Sequence, residues 1–368
     1  MAAYIFLGLR TELASSPLVD LPKYFLEDFG FYRQAFDRAL AGEGAYAMLE
    51  IGRGFFYPPP ALLVVGLFAS IDPPDIGNAV YLIANLICLA MIVWLIARRY
   101  SYSVQQIWWW FPLILLFAPT LEALRVGQIN IITEFGIALL YVFSMTVPWL
   151  SGVGIALAAG TKAVPLVFFA YWIANRNWRA FFWGIVSILI SLVLVGVLFG
   201  WQTLLDYPFA FQWIGNWFSS GPDANVQALV TMAQGFGWIR AAQWVTFQQS
   251  LEIYLALIFA ISGVLAFSSR TREPFFIVLC LGSMVAPNVL WYHHYVFFLV
   301  PFLVWMAWSR LNPWVVMWCG AGLTIVQIDR NFWTYGFLIH LVAHTSMLML
   351  VVWQMRMRFA ARGSRMLT

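Results

Sequence analysis

The chain reads as an all-α, polytopic membrane bundle of about ten to eleven membrane helices, with a short broken pair among them and interfacial helices in the first outer segment. Three observations predict this class. Of 368 residues, 62% are hydrophobic and only 10% are charged, against roughly 25% charged in soluble domains. The hydrophobic residues fall in successive apolar runs divided by short polar loops. The arginines of those loops gather on one side of the resulting topology, as the positive-inside rule requires of a multi-pass chain.

Taken in order, Met1–Leu9 is apolar but far too short to span and is closed by Arg10, so it reads as a truncated first span or an interfacial anchor. Residues 10–76 form the first outer segment. Its centre, Asp28–Pro60, is the most polar long stretch of the chain and ends in an aromatic-proline turn at Tyr57–Pro60. Tyr32, Ala35, Phe36, Ala39 and Leu40 recur at helical spacing, which predicts a helix lying at the interface. Pro59–Ile71 is broken off by Asp72-Pro73-Pro74 and is too short to cross, so it reads as interfacial or re-entrant.

Candidate spans follow at Gly77–Ala97, Ile107–Thr120, Ile129–Val147, Ala180–Gly200, Ser250–Phe267, Pro274–Leu290, Val296–Ser309, Pro313–Ile328 and Gly336–Met355. Several are shorter than the usual ~20 residues, which predicts tilt or local thinning. Ser151–Ile173 carries Gly160, Lys162 and Pro165 in its middle and reads as two short helices meeting at a polar turn. Trp201–Gln249 is a long outer loop, aromatic and polar, suited to a lid or an acceptor-binding element. No repeat or linker divides the chain, so residues 1–368 read as a single integral membrane domain. Cys88, Cys280 and Cys319 lie in apolar runs without metal spacing and read as core residues.

This parsing puts Arg98, Arg99, Arg176, Arg179, Arg270, Arg272, Arg310 and the arginines of the C-terminal tail on one side, with Glu273 as the accompanying acid. That side is cytoplasmic by the positive-inside rule, in a cell inner (plasma) membrane. Residues 10–57, Leu121–Asn130, Lys162, Trp201–Gln249, Asn288–Tyr295 and Asp329–Tyr335 then converge on the outer face. The net charge of +4 is spread over loops, so no nucleic-acid partner is expected.

The outer face carries the candidate chemistry. Asp28 precedes the amphipathic stretch, where a carboxylate either caps a helix or acts as general base on an incoming hydroxyl. Arg125, Gln128 and Asn130 lie at the outer junction of two spans. Asn130 and Glu134 share one helix face, which suits either capping and structural pairing or a cavity wall. Lys162, one of two lysines beside Lys23, needs an anion or a cluster of carbonyls in so apolar a setting, and phosphate is the natural anion. Trp291-Tyr292-His293-His294-Tyr295 offers imidazole donors with no acidic or cysteine partner for zinc, and its aromatics suit a membrane belt equally. His340 and His344, four apart in the last run, suit bundle hydrogen bonding better than a metal.

These pieces, in chain order, resemble the polyprenyl-phosphate-mannose-dependent glycosyltransferases of family 87, which have the GT-C membrane fold. The matching residues are Asp28-Phe29 with Tyr32 and Ala35, Leu40-Ala41-Gly42 with Tyr46, and Phe56-Tyr57-Pro58-Pro59. After them come Gly127-Gln128-Ile129-Asn130, Lys162 with Pro165, and Pro287 with Trp291, His293 and His294. The resemblance implies a GT-C-like fold and transfer of a hexose, expected to be mannose, from a polyprenyl-phosphate-sugar donor to a glycolipid or glycan acceptor among the membrane lipids. Transfer would occur on the outer face, with inversion. It implies Asp28 as general base, and Lys162, His293, His294 and Arg125 around the donor phosphate. Tyr32, Tyr57, Gln128, Asn130, Trp291 and Asn225 would meet substrate. Fixed cations can carry a lipid-phosphate leaving group, so no cofactor or metal is expected. The sequence departs from the family's loop motif at Asn225-Val226-Gln227-Ala228-Leu229. The competing class is a transporter or flippase for polyprenyl-linked glycans, in which the same groups bind without reacting.

Overall fold

The structure, a computed structural model, describes residues 25–47, 54–107, 110–115, 117–220, 272–285, 296–310 and Arg356, and every regular element among them is helical. The expected spans at Ser250–Phe267, Pro313–Ile328 and Gly336–Met355 lie outside the described residues.

The first outer segment folds as α1 (Glu27–Leu40) laid over α2 (Ala61–Ala69). Phe29, Tyr32, Ala35, Phe36 and Ala39 are buried along one stripe of α1, as an amphipathic helix on an apolar scaffold requires. Leu40, expected on that stripe, is instead exposed at the end of the helix. Gly66 of α2 lies beneath the Phe36 ring, where a Cβ would come within 2.4 Å of Cε2. At nine residues α2 is far too short to cross a bilayer.

Helix α3 (Pro74–Arg99) rises from this segment, and with 26 residues it is about 39 Å long. The expected span at Ile107–Thr120 is not one helix. It is divided into α4 (Val104–Ile107), α5 (Trp110–Leu115) and α6 (Ala118–Val126). Pro119 sits in the first turn of α6, where its missing N–H leaves no bond unmade. The next elements are α7 (Asn130–Phe143) and α8 (Pro148–Thr161), then a 3-10 turn at Val164–Val167 leading into α9 (Phe168–Ala174). This is the broken pair the sequence predicts, with Lys162 at its turn. Helix α10 (Trp178–Phe199) and α3 are both long and apolar enough to span a membrane. The stretch expected as an outer loop from Trp201 instead continues as α11 (Gln202–Ser220), with Pro208 inside it. Helices α12 (Arg272–Val285) and α13 (Leu299–Ser309) complete the described core.

Helices α7 and α8 form an antiparallel pair with backbones in contact. A Cβ on Gly136 would lie 2.7 Å from the Gly154 carbonyl oxygen, and one on Gly154 would lie 2.6 Å from that of Gly136. Small residues permit this approach where lipid supplies no hydrophobic drive between helices. Polar ties flank the crossing. Ser151 Oγ donates to Leu140 O at 2.8 Å, and the Thr133 and Thr161 hydroxyls meet at 2.7 Å.

The helix ends that carry Arg99, Arg176, Arg272 and Arg310 meet at one end of the bundle. There Tyr100, just past Arg99, shares a 2.5 Å hydrogen bond with Tyr141, and Tyr141 packs on Phe276 of α12. Tyr102 donates to Ala307 O at 3.4 Å, close to Arg310, and Asn177, next to Arg176, donates to Ser144 O. Cys280 is buried in this core, as expected.

Glu134 is fully buried, and its Oε2 accepts the Val300 N–H at 2.8 Å. That N–H belongs to the first turn of α13, where no intrahelical acceptor exists. Glu134 thus serves as structural pairing for a helix start, the first of the two readings open for it.

Gly136→Ala should lower the thermal midpoint in detergent, since its Cβ would meet backbone atoms that cannot yield, at a cost of about 1–3 kcal/mol. Gly30→Ala, with nothing within 4 Å of the added carbon in α1, should raise that midpoint through a stabilisation of about 0.5–1 kcal/mol.

Candidate active site

The end of the bundle opposite Arg99, Arg272 and Arg310 is built from four separate stretches. Helix α6 ends at Gly127, whose φ of +75° places it in the left-handed region. The Gly127 N–H bonds to Leu124 O at 3.3 Å and the Gln128 N–H to Ala123 O at 2.8 Å, the pattern of a Schellman cap. A Cβ at this position would also strike Phe29 Cβ at 2.9 Å. The remaining carbonyl of Arg125 accepts the Leu26 N–H at 2.8 Å. The start of α1 is therefore moored to the end of α6, and Asp28 faces Gln128.

Asp28 lies in the first turn of α1, not at its cap. The cap position belongs to Leu26, and no side chain caps the helix. The Asp28 carboxylate instead accepts a hydrogen bond from Gln128 Nε2. The other end of that carboxamide, Oε1, accepts the Tyr57 hydroxyl at 2.8 Å and faces the Tyr32 hydroxyl at 3.2 Å, while Tyr32 Oη donates to Tyr57 Oη at 2.7 Å. Tyr46 Oη holds the Tyr57 carbonyl at 2.7 Å, and Tyr81 Oη holds the Gly127 carbonyl at 3.1 Å.

Lys162 reaches this cluster from the other side. It follows α8 in extended conformation, and its Nζ lies 5.5 Å from the centre of the Tyr57 ring and 5.4 Å from that of Phe297. Aromatic faces at this range attract an ammonium group by their quadrupoles. Pro60 packs on Gly160, where a Cβ would lie 3.0 Å from Pro60 Cβ. That contact seats the Tyr57–Pro60 turn against the end of α8.

Burial moves the acid–base properties of these groups. Removal of water raises the Asp28 carboxyl from its ordinary 3.8 to about 7, helped by the Glu27 and Glu122 charges and opposed by the Gln128 hydrogen bond and Lys162. Burial likewise pushes the Tyr32 and Tyr57 phenols well up, with the Asp28 charge adding to it. Both hydroxyls therefore remain protonated donors at neutral pH.

Of the residues expected at the site, Asp28, Tyr32, Tyr57, Gln128 and Lys162 are brought together. Tyr32 and Gln128 are each only 2% exposed, and their polar groups are spent on one another. Asn130 is fully buried at the first residue of α7. Arg125 forms a two-point pair with Glu122, both contacts at 2.7 Å. His293, His294, Trp291 and Asn225 lie outside the described residues. Tyr46, Tyr81 and Phe297 join the cluster without having been singled out as site residues. Tyr46 stands in the matched motif, whereas Tyr81 and Phe297 look like ordinary apolar positions of their runs.

The family model of glycosyltransferase family 87 matches residues 55–292. The match includes Tyr57, Arg125, Gln128, Asn130 and Lys162, and begins after Asp28. Among curated proteins, the chain is 24% identical over 319 residues to the polyprenol-phosphate-mannose-dependent alpha-(1-2)-phosphatidylinositol mannoside mannosyltransferase of Mycobacterium tuberculosis, covering 79% of this chain and 71% of the relative. It is 25% identical over 231 residues to the polyprenol-phosphate-mannose-dependent alpha-(1-2)-phosphatidylinositol pentamannoside mannosyltransferase of Mycolicibacterium smegmatis, covering 60% of this chain and 53% of the relative.

The raised Asp28 carboxyl has a definite effect on stability. Between about pH 4 and about 7 the folded protein holds a proton that the unfolded chain has released, so stability falls as pH rises through that window. Asp28→Asn removes this slope. Its stability advantage over the native chain should grow across the window, by no more than about 1.4 kcal/mol per pH unit, and level off above it. Denaturation in detergent at several pH values measures the difference.

Proposed function

The chain belongs to glycosyltransferase family 87 and is a membrane glycosyltransferase, and on that premise we propose that it transfers mannose from a polyprenyl-phosphate-mannose donor to a hydroxyl of a glycolipid acceptor. The printed names of both mycobacterial relatives support this choice of donor and a phosphatidylinositol mannoside as acceptor class. Transfer takes place on the extracytoplasmic face of a multi-pass plasma-membrane protein, and it inverts the anomeric centre.

The observation that carries the reading is that Asp28 and Lys162 converge on the Tyr57–Gln128 pair: Gln128 joins the Asp28 carboxylate to the Tyr57 hydroxyl, and Lys162 Nζ lies 5.5 Å from the centre of the Tyr57 ring. In this mechanism Asp28 takes the proton of the acceptor hydroxyl. The freed oxygen attacks the anomeric carbon from the face opposite the phosphate, and the bond between that carbon and the phosphate oxygen breaks. The electron pair leaves with the polyprenyl phosphate. Lys162 opposes the charge that builds there, with His293 and His294 completing the phosphate cradle, as fixed charges do for a developing oxyanion. Arg125 joins them by exchanging Glu122 for phosphate, and Trp291, Asn130 and Asn225 contact the sugars. A base whose pKa is raised to about 7 is matched to neutral pH, where proton abstraction is most effective. A transporter or flippase would carry its charged groups through the bundle, whereas the buried Glu134 is taken up by the start of α13.

Purified protein incubated with polyprenyl-phosphate-mannose and phosphatidylinositol mannosides should give a glycolipid one hexose heavier by mass spectrometry, with the opposite anomeric configuration by NMR. Asp28→Asn should cut turnover by about 10²–10⁴-fold, and full activity in that variant would remove the base assignment. Lys162→Ala should raise the KM for donor, and an unchanged KM would remove its phosphate role.

A further inference from the structure

Resting on that reading, we propose that Gln128 is a positioning residue: its carboxamide, locked in one orientation by Tyr57 and Tyr32, favours the ionised form of the Asp28 carboxylate and aims it at the acceptor. The lock follows from donor and acceptor chemistry. A phenol has one proton to give. Tyr32 Oη gives its proton to Tyr57 Oη at 2.7 Å, and Tyr57 gives its own to Gln128 Oε1 at 2.8 Å. That assigns the oxygen of the amide to the tyrosines and leaves Nε2, which has protons but no free lone pair, facing Asp28. A flipped amide would set Oε1 against an ionised carboxylate, with no proton between them. The arrangement therefore favours the charged, base-competent form of Asp28, and the preference originates two residues away from the carboxylate.

Tyr57 links the two halves of the site. Its hydroxyl fixes Gln128, and its ring faces Lys162 Nζ at 5.5 Å. The Tyr57 carbonyl is in turn held by Tyr46, and Gln128 is delivered by the Schellman cap at Gly127. The charged and titratable groups around Asp28 are Glu27 on its own helix, Glu122 on α6 with its partner Arg125, Lys162 after α8, and the phenols of Tyr32, Tyr57 and Tyr81. Lys162 among these, and the Gln128 hydrogen bond beside them, favour the ionised form of Asp28.

Two readouts test this on the full-length protein in detergent or nanodiscs. The first follows the protonated-carboxyl infrared band of Asp28 with pH, using Asp28→Asn as the blank, and needs no turnover. The second is the pH profile of kcat/KM with polyprenyl-phosphate-mannose. Gln128→Leu should move both the infrared titration and the acid limb upward by about one pH unit or more, the scale of one hydrogen bond to a charged group. Activity in that variant should be reduced at and below neutral pH, recover above the shifted limb, and leave the donor KM unchanged. Tyr57→Phe keeps the ring beside Lys162 and releases Oε1, so it should produce a smaller shift in the same direction, and it decides the question if Gln128→Leu does not fold. An unmoved titration with activity lost equally at every pH, or a raised KM alone, would overturn the positioning role while leaving the mannosyltransferase reading intact. A shifted titration in a protein that transfers no sugar would sustain the role of Gln128 and overturn the mannosyltransferase reading instead.

Discussion

Backbone contact between α7 and α8 at Gly136 and Gly154 decides where the polar ends of these two helices lie. Helix α7 starts directly after Gln128, and α8 delivers Lys162 at its far end. The antiparallel register, tied by Ser151 to Leu140 at one end and Thr133 to Thr161 at the other, brings both to the same level of the bundle. Larger side chains at the two glycines would push the helices apart, and the distance between the candidate base and the candidate phosphate cation would change with them.

The site adds a second constraint, the need to satisfy polar groups where little water reaches them. An unmade hydrogen bond there costs several times what a made one contributes. The segment around α1 answers this with a connected set of phenols, a carboxamide and a carboxylate, in which both tyrosine protons and one amide proton have acceptors. Glu134 meets the same demand at one oxygen, its Oε2 taking up an orphan N–H at the start of α13 while Oε1 has no partner among the described residues. Position in the bundle thus separates the two carboxylates. One accepts the Gln128 amide at the candidate site, and the other accepts the N–H of a helix start.

Helix α1 depends on both constraints. Its apolar stripe of Phe29, Tyr32, Phe36 and Ala39 packs on α2 and on Phe199 at the end of α10, which secures the helix but not its rotation about the site. The bond from the Leu26 N–H to the Arg125 carbonyl and the close fit of Gly127 under Phe29 settle that rotation. Asp28 faces Gln128 because the turn after α6 leaves it no other facing.

Local signals were legible in the sequence because they act over a few residues. The stripe of α1 showed in the spacing of Tyr32, Ala35, Phe36 and Ala39. The return of the chain at Lys162 showed in the Gly160 and Pro165 flanking it, and α2 ended where the proline run at Asp72 began. Asp28, Tyr57, Gln128 and Lys162, which meet at one end of the bundle, were also legible as a group from the parsing of the spans. The division of Ile107–Thr120 into short helices and the helical course of α11 were not, because apolar composition alone does not distinguish one long helix from several. Nor was the division of roles within the site. Asp28 and Gln128 are a hundred residues apart, and Glu134 and Val300 are separated by 166. No periodicity links such positions. Hydropathy and charge determined which residues gather at one end of the bundle, and only tertiary packing decided which of them donate and which accept, because hydrogen bonds are directional and composition is not.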